Sequence, residues 1–182
     1  DTTLPEITRQ LEAVFGDWQA PAVAKGSKSI PAVAAQTAPR VYLIDKPGAP
    51  QSLILAGELA PPTTAKDNLQ IQTMNGAFGG AFTSRLNMNL REEKHWSYGV
   101  RGGFTRYAEA APYIVNAPVQ ADQTGPSLAA LRGDIAQYVG DKPMTKAEFD
   151  RAIAGATRSL AGEFETSDDV LTAMQLNDLY KR

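Results

Sequence analysis

Residues 79–100 read GGAFTSRLNMNLREEKHWSYGV, and this stretch carries most of what the sequence says about the fold. The pair Gly79-Gly80 frees the backbone just before a helical pattern. Phe82, Leu86 and Leu90 then fall at i, i+4 and i+8, the spacing of one helix face. The helix carries Arg85 and Arg91, has Glu92, Glu93 and Lys94 near its end, and is expected to stop around His95-Trp96. Tyr98 is expected early on the strand that follows. Arg91 and Tyr98 are thus seven residues apart across a helix-to-strand junction. Such a junction can bring a guanidinium and a phenol to one side of a cleft, where both donate hydrogen bonds to a peptide carbonyl or a developing oxyanion. The competing reading is structural: an Arg in a last helical turn suits the macrodipole, and a strand Tyr commonly packs.

Working outward, Leu4, Ile7, Leu11 and Val14 or Phe15 recur at helical spacing over residues 4–16. Pro5 suits a first turn and Gly16 an end. Residues 19–39 are rich in Ala, Pro, Lys and Ser without a clear period, and read as a linker or extended surface segment. Arg40 to Asp45 (RVYLID) is a short β-like run, Lys46-Pro47-Gly48 a turn, and Gln51 to Leu59 a second strand candidate. Thr63 to Asn75 reads as a helix with Leu69 and Met74 inward, interrupted by Gly76 and the glycine pair. Ser97–Tyr107 and Pro112–Gln120 read as strands joined through residues 108–111.

Three helical patterns close the chain. Ser127–Val139 places Leu128, Leu131, Ile135 and Tyr138 on one face. The next opens with a capping box, Thr145-x-x-Glu148, and carries Phe149, Ile153, Ala156 and Leu160 on a stripe. Ser167 is the expected cap of the last, which still runs where the sequence stops, so a continuation is expected. Short hairpin-like connections between strand candidates favour an α+β domain, a mainly antiparallel sheet with helices packed on one face.

Composition narrows the function classes. Apolar residues make up 43% and charged residues 21% of the 182, values of a soluble globular chain long enough to bury a core. The net charge of −2 offers no basic face for nucleic acid or anionic membrane. No apolar run reaches the roughly 18 residues of a membrane span. With no cysteine there is no disulfide, thiolate zinc site, iron–sulfur cluster or cysteine nucleophile. His95 is the single histidine, so a zinc site needing two, H-x-x-E-H included, is impossible within this chain. The chain opens on Asp1 without a signal-peptide pattern and reads as a processed product or a piece of something longer.

Other candidate chemistry is weaker. His95 with Glu92 or Glu93 lacks further metal ligands. The pairs Glu92-Glu93 and Asp168-Asp169 read as a solvated helix end and a first-turn dipole match. Arg101-Gly102-Gly103 lacks the Lys-Ser/Thr helix start of a phosphate loop. Ser84 has no evident base.

Taken together, Gly79-Gly80, Ser84-Arg85-Leu86, Leu90-Arg91-Glu92 and Tyr98 resemble the motif of the C-terminal-type domains in pitrilysin-type zinc metallopeptidases, the family of insulin-degrading enzyme and mitochondrial processing peptidase. Asp45 to Gln51 resembles the usual entry into that domain. The helix ending Phe15-Gly16-Asp17-Trp18 resembles the last helix of the domain before it. The resemblance implies three segments: 1–18 as the end of a preceding domain, 19–39 as linker, and 40–182 as a non-zinc peptidase domain that continues beyond residue 182. It implies the α+β half-domain of the mitochondrial processing peptidase type, which encloses a chamber with a zinc-binding half.

In that arrangement the partner half, in the same polypeptide or a separate subunit, holds zinc and the general base, and this chain holds no cofactor. Arg91 and Tyr98 match the family's pair that binds the peptide substrate's backbone and helps stabilise the tetrahedral intermediate. The chain alone would be inactive. Two departures stand out: His95 sits where many relatives have Gly, and Trp96 where Leu is common. Some relatives are structural subunits, so a catalytically inactive scaffold of the same fold is the alternative. Nothing specific supports a stand-alone small-molecule module. Exported bacterial relatives make the periplasm consistent with the resemblance, and the compartment stays open.

Overall fold

Alternation of apolar and small residues along 111–120 builds the centre of the sheet. A computed structural model describes residues 2–23, 26, 29, 31–107 and 111–180. Strand β3 (Ala111–Gln120) lies between β1 (Gln51–Ala60) and β2 (Arg101–Phe104), both antiparallel to it, in the order β1-β3-β2. Register pairs Gly57 with Ile114 and Gly102 with Val115. Because side chains alternate across a strand, Ala111, Val115, Ala117 and Val119 all point to one face and are buried there. Leu53, Leu55 and Ile114 point to the other and stay exposed.

The buried face meets the helices. Phe78, Leu86, Leu90, Val100, Leu131 and Tyr138 join Val115, Ala117 and Val119 in one core, with Ile54, Trp96 and Met144 packed on its margin. Phe78 stacks on Tyr138 at 4.7 Å, and the Tyr138 hydroxyl donates to the Met74 carbonyl at 2.9 Å. The α+β architecture, helices on one face of an antiparallel sheet, agrees with the sequence expectation.

The helices are α1 (Leu4–Phe15), α2 (Asn68–Asn75), α3 (Arg85–Asn87), α4 (Thr124–Val139), α5 (Lys146–Ser159) and α6 (Ser167–Tyr180). The chain forms two compact units, Asp1–Pro31 and Ala32–Arg182. In the first, Glu6 accepts from the N–H and hydroxyl of Thr3 at 2.9 Å each, fixing the start of α1. The apolar stripe Leu4, Ile7, Leu11, Val14 and Phe15 is exposed along it.

Several local expectations need correction. Residues 40–45 form no strand: Val41, Leu43 and Ile44 are about nine-tenths exposed, and β-propensity without a neighbouring strand leaves the backbone unpaired. The turn after them does form, with Gly48 at φ 76° and the Ala49 N–H bonded to the Lys46 carbonyl at 3.2 Å.

The helix expected from Thr63 begins at Asn68, because the Thr63 N–H is taken by the Tyr107 carbonyl at 3.1 Å and tight turns follow. Leu69 is exposed and Met74 only partly covered; Asn75 is the residue that α2 buries. The glycines do not interrupt the helix there. They widen it into a π turn, Gly76–Gly80, closed by the Ala81 N–H on the Gly76 carbonyl at 3.1 Å. On α4, Leu131 and Tyr138 are buried while Leu128 and Ile135 are half covered. Thr166, not Ser167, caps α6: its hydroxyl accepts from the Asp169 N–H, and Asp169 accepts from the Thr166 N–H. Of the expected connection through 108–111, residues 108–110 lie outside the described residues and Ala111 opens β3.

Close approach explains Gly79 and Gly102. A Cβ on Gly79 would sit 2.9 Å from the Gly102 backbone, and one on Gly102 would sit 2.1 Å from the Tyr113 hydroxyl. Asn75 bridges the same contact, donating to the Gly102 carbonyl and accepting from the Tyr113 hydroxyl, each at 3.0 Å. Burial pushes that hydroxyl up to about 12.

Candidate functional site

Arg85 of the Ser-Arg-Leu triplet is an anchor rather than a surface donor. Its Nε and Nη2 each meet a Glu148 carboxylate oxygen at 2.7 Å. Its remaining donors reach the Lys142 and Pro143 carbonyls. Glu148 in turn accepts from the Thr145 N–H and hydroxyl, so the expected capping box of α5 is locked to α3. The Arg85 guanidinium, aided by the Thr145 donors and opposed by burial, holds the Glu148 carboxyl down to about 2. Beside it, burial raises the Asp134 carboxyl although Asn89 donates to it.

After α3 the helix again loosens, into a π turn over Met88–Glu93, closed by the Lys94 N–H on the Asn89 carbonyl. Leu90 is fully buried and Arg91, its neighbour, is turned outward with its side chain 29% exposed. His95 then takes φ 57°, the left-handed region that favours glycine. Its Nδ1 lies 3.1 Å from the Arg91 carbonyl.

Tyr98 lies in a bend before β2, not on the strand as expected. The cause is local. Ser97 Oγ sits 2.5 Å from the Pro118 carbonyl and accepts from the Gly99 N–H, and the Val100 N–H is taken by Asn87 Oδ1 at 3.0 Å. Side chains thus occupy the groups that a ladder would use, and pairing begins at Arg101.

The two residues singled out from the sequence do meet. The Arg91 guanidinium carbon lies 5.2 Å from the Tyr98 ring centroid, and Nε is 3.2 Å from Glu92. Tyr98 is 85% exposed. The geometry is a cation lying over a ring face, beside a phenol on a largely exposed side chain. Sequence reasoning missed Phe82. It was expected on the buried stripe with Leu86 and Leu90; instead it precedes α3, is half exposed, and covers Arg91 from 4.5 Å. No helical or strand spacing pairs residues nine apart across the start of a helix.

The residues here do not fit a zinc site. The one histidine is exposed and turned to a backbone carbonyl. Among the described residues, no group of three or more His, Cys, Asp or Glu is placed to hold a metal. No helix among them is long and apolar enough to cross a membrane.

Fold and motif together define a domain of the metallopeptidase half-domain class that lacks the zinc-binding helix. The family model described as "Peptidase M16 inactive domain" matches residues 1–156, and the chain belongs to that family, the pitrilysin-type zinc metallopeptidases, as a C-terminal-type domain. Among solved structures it is similar to the peptidase M16 inactive domain from Pseudomonas fluorescens, at 27% identity and TM-score 0.62 over 72% of this chain and 31% of that one. A protease from Helicobacter pylori matches over 100% of this chain and 44% of its own, at 15% identity and TM-score 0.75. The periplasmic protease PqqL from Escherichia coli matches over 99% and 20%, at 12% identity and TM-score 0.68. The chain therefore spans less than half the length of each. No curated protein matches it.

Proposed function

We propose that this chain is the substrate-gripping, chamber-forming domain of a zinc metalloendopeptidase, with Arg91 and Tyr98 donating to the peptide backbone while zinc and the general base come from another domain or subunit. The observation that carries this reading is the stacked pair itself. The Arg91 guanidinium lies over the exposed Tyr98 ring, and a guanidinium carries its N–H donors on the edge of its own plane. A carbonyl oxygen presented to that edge gains a charged donor. The donation strengthens as the oxygen takes up charge in the tetrahedral intermediate, the condition for a lowered barrier. A second donor, the phenol, is three residues from the turn at His95 that fixes the path of the chain.

The alternative is a catalytically inactive scaffold or interaction domain, favoured by the family's description as an inactive domain. Peptide hydrolysis decides between them. The chain is assembled with an H-x-x-E-H-bearing half, and the parent is compared with Tyr98→Phe and Arg91→Met. A loss of roughly 100- to 1000-fold in turnover, with assembly intact, is expected of transition-state donors. Parental rates for both variants would leave the scaffold reading standing.

A further inference from the structure

We infer that Phe82 is a positioning residue for Arg91, one jaw of a two-ring clamp whose other jaw is Tyr98; this rests on the reading of Arg91 as a substrate donor. The Arg91 guanidinium carbon lies 4.5 Å from the Phe82 ring centroid and 5.2 Å from that of Tyr98, so both rings address the same cation. Phe82 is 53% exposed and stands outside the core, where Leu86 and Leu90 are fully buried. The core therefore does not account for a large apolar ring at this position. Its contact with Arg91 does.

The clamp is built into the backbone. Asn87 is 4% exposed, and its amide spans both ring-bearing segments. Nδ2 donates to the Phe82 carbonyl at 2.7 Å, while Oδ1 accepts from the Val100 N–H at 3.0 Å, two residues past Tyr98. One buried side chain thereby ties the Phe82 and Tyr98 segments together, and the π turn carries Arg91 to both rings.

Guanidinium donors lie in the plane of the group and its faces carry none, so ring stacking restrains the cation without consuming a hydrogen bond. Nε is ion-paired with Glu92 at 3.2 Å, and the two Nη atoms carry the other four donors. An exposed Arg would otherwise sample many rotamers and lose that freedom on gripping substrate. The clamp settles its orientation beforehand.

The test uses the chain assembled with the zinc-binding half, alongside the ¹H–¹⁵N spectrum of the chain, in which the Arg91 Nε–H is assigned by its loss in Arg91→Met. Phe82→Leu keeps bulk and removes the π face; Phe82→Tyr keeps both. Phe82→Leu is expected to shift the Arg91 Nε–H resonance away from its ring-current position and to lower kcat/KM roughly 2- to 5-fold, the scale of one exposed cation–π contact. Phe82→Tyr is expected to restore both, and Phe82→Leu to have no further effect on an Arg91→Met background. An unmoved resonance with unchanged kcat/KM overturns the proposal, as does an equal loss with and without Arg91, which marks a general structural defect. If Arg91→Met alone cleaves at the parental rate, the donor reading has failed, and the positioning role falls with it.

Discussion

The carboxylate of Glu148 is gripped by Arg85 through two parallel bonds of 2.7 Å, sixty-three residues apart in the chain, while the same carboxylate closes the capping box of α5. Their side chains are 24% and 19% exposed, so solvent screens the pair only in part. Arg85 also lies 4.7 Å from the Tyr138 ring centroid, tying the ion pair to the core. Replacing Glu148 by Ala removes a bidentate partner and a cap at once. The expected loss is about 2–3 kcal/mol in urea unfolding. Lys146→Ala, which breaks only the exposed pair with Asp150, is expected to change stability by less than about 0.5 kcal/mol. Equal effects of the two variants would show that Glu148 acts as an ordinary surface residue.

Acid should expose the same bond. The Glu148 carboxyl titrates near 4.5 when unfolded and is held at about 2 in the fold. Its contribution is complete above about 4.5, where both states are ionised. It is lost as pH falls toward 2, because the unfolded chain takes up the proton first. The amount is on the order of 2 kcal/mol after allowing for solvent screening. Asp134, raised by burial, works in the opposite sense and is common to parent and variant. The difference in stability between parent and Glu148→Gln, followed from pH 6 down to pH 2.5, is expected to shrink steadily. A difference independent of pH would refute the assignment.

Glycines of the central motif and of β2 make a graded prediction. At Gly102 a methyl group would overlap the Tyr113 hydroxyl, at Gly79 it would strike backbone, and at Gly103 it would meet open space. Gly79→Ala has no flexible neighbour to move and should cost about 1–3 kcal/mol. Gly102→Ala should cost a similar amount and recover part of it on Tyr113→Phe, which removes the nearest atom but leaves Asn75 without that donor. Gly103→Ala is expected to be neutral or slightly stabilising, since Ala suits a half-buried strand position with open space beside it better than Gly. Thermal unfolding of the four proteins orders them.

How much of this was legible in the sequence differs by kind of contact. Periodicity found Leu86, Leu90, Leu131 and Tyr138, all buried, because helical spacing is written in adjacent turns. The Thr145–Glu148 box was legible for the same reason: its partners are three residues apart. RVYLID read as a strand because propensity is local, whereas a strand exists only through a neighbour. Leu69 and Phe82 looked inward on pattern alone; a non-local bond, Thr63 to the Tyr107 carbonyl, and a side-chain bond, Asn87 to the Phe82 carbonyl five residues back, set those segments otherwise. For the candidate site, Arg91 and Tyr98 came from motif spacing; the stack that joins them, and the second ring at Phe82, depend on a buried amide that no spacing rule reveals.

His95 offers the last prediction, since its backbone has the conformation of a glycine and its side chain does not. At φ 57° histidine is tolerated better than most residues, and its Nδ1 reaches the Arg91 carbonyl. The His95 carbonyl accepts from Gln120 Nε2 at 3.0 Å, and the Trp96 carbonyl from the Gln120 N–H at 2.8 Å, so the turn is held from the end of β3. His95→Gly relieves the left-handed cost, loses the bond to Arg91, and adds freedom to the unfolded chain; stability is expected to stay within about 1 kcal/mol of the parent. His95→Val places a β-branched residue in the same backbone and should cost about 1–3 kcal/mol. The turn also directs Tyr98, three residues on. In the assembly with a zinc-binding half, His95→Gly is expected to keep cleavage near the parental rate, and His95→Val to reduce it by more than its loss of folded protein explains. Paired urea melts and cleavage rates check this. Equal behaviour of the two variants would mean that the turn accepts either residue and does not govern the placement of Tyr98.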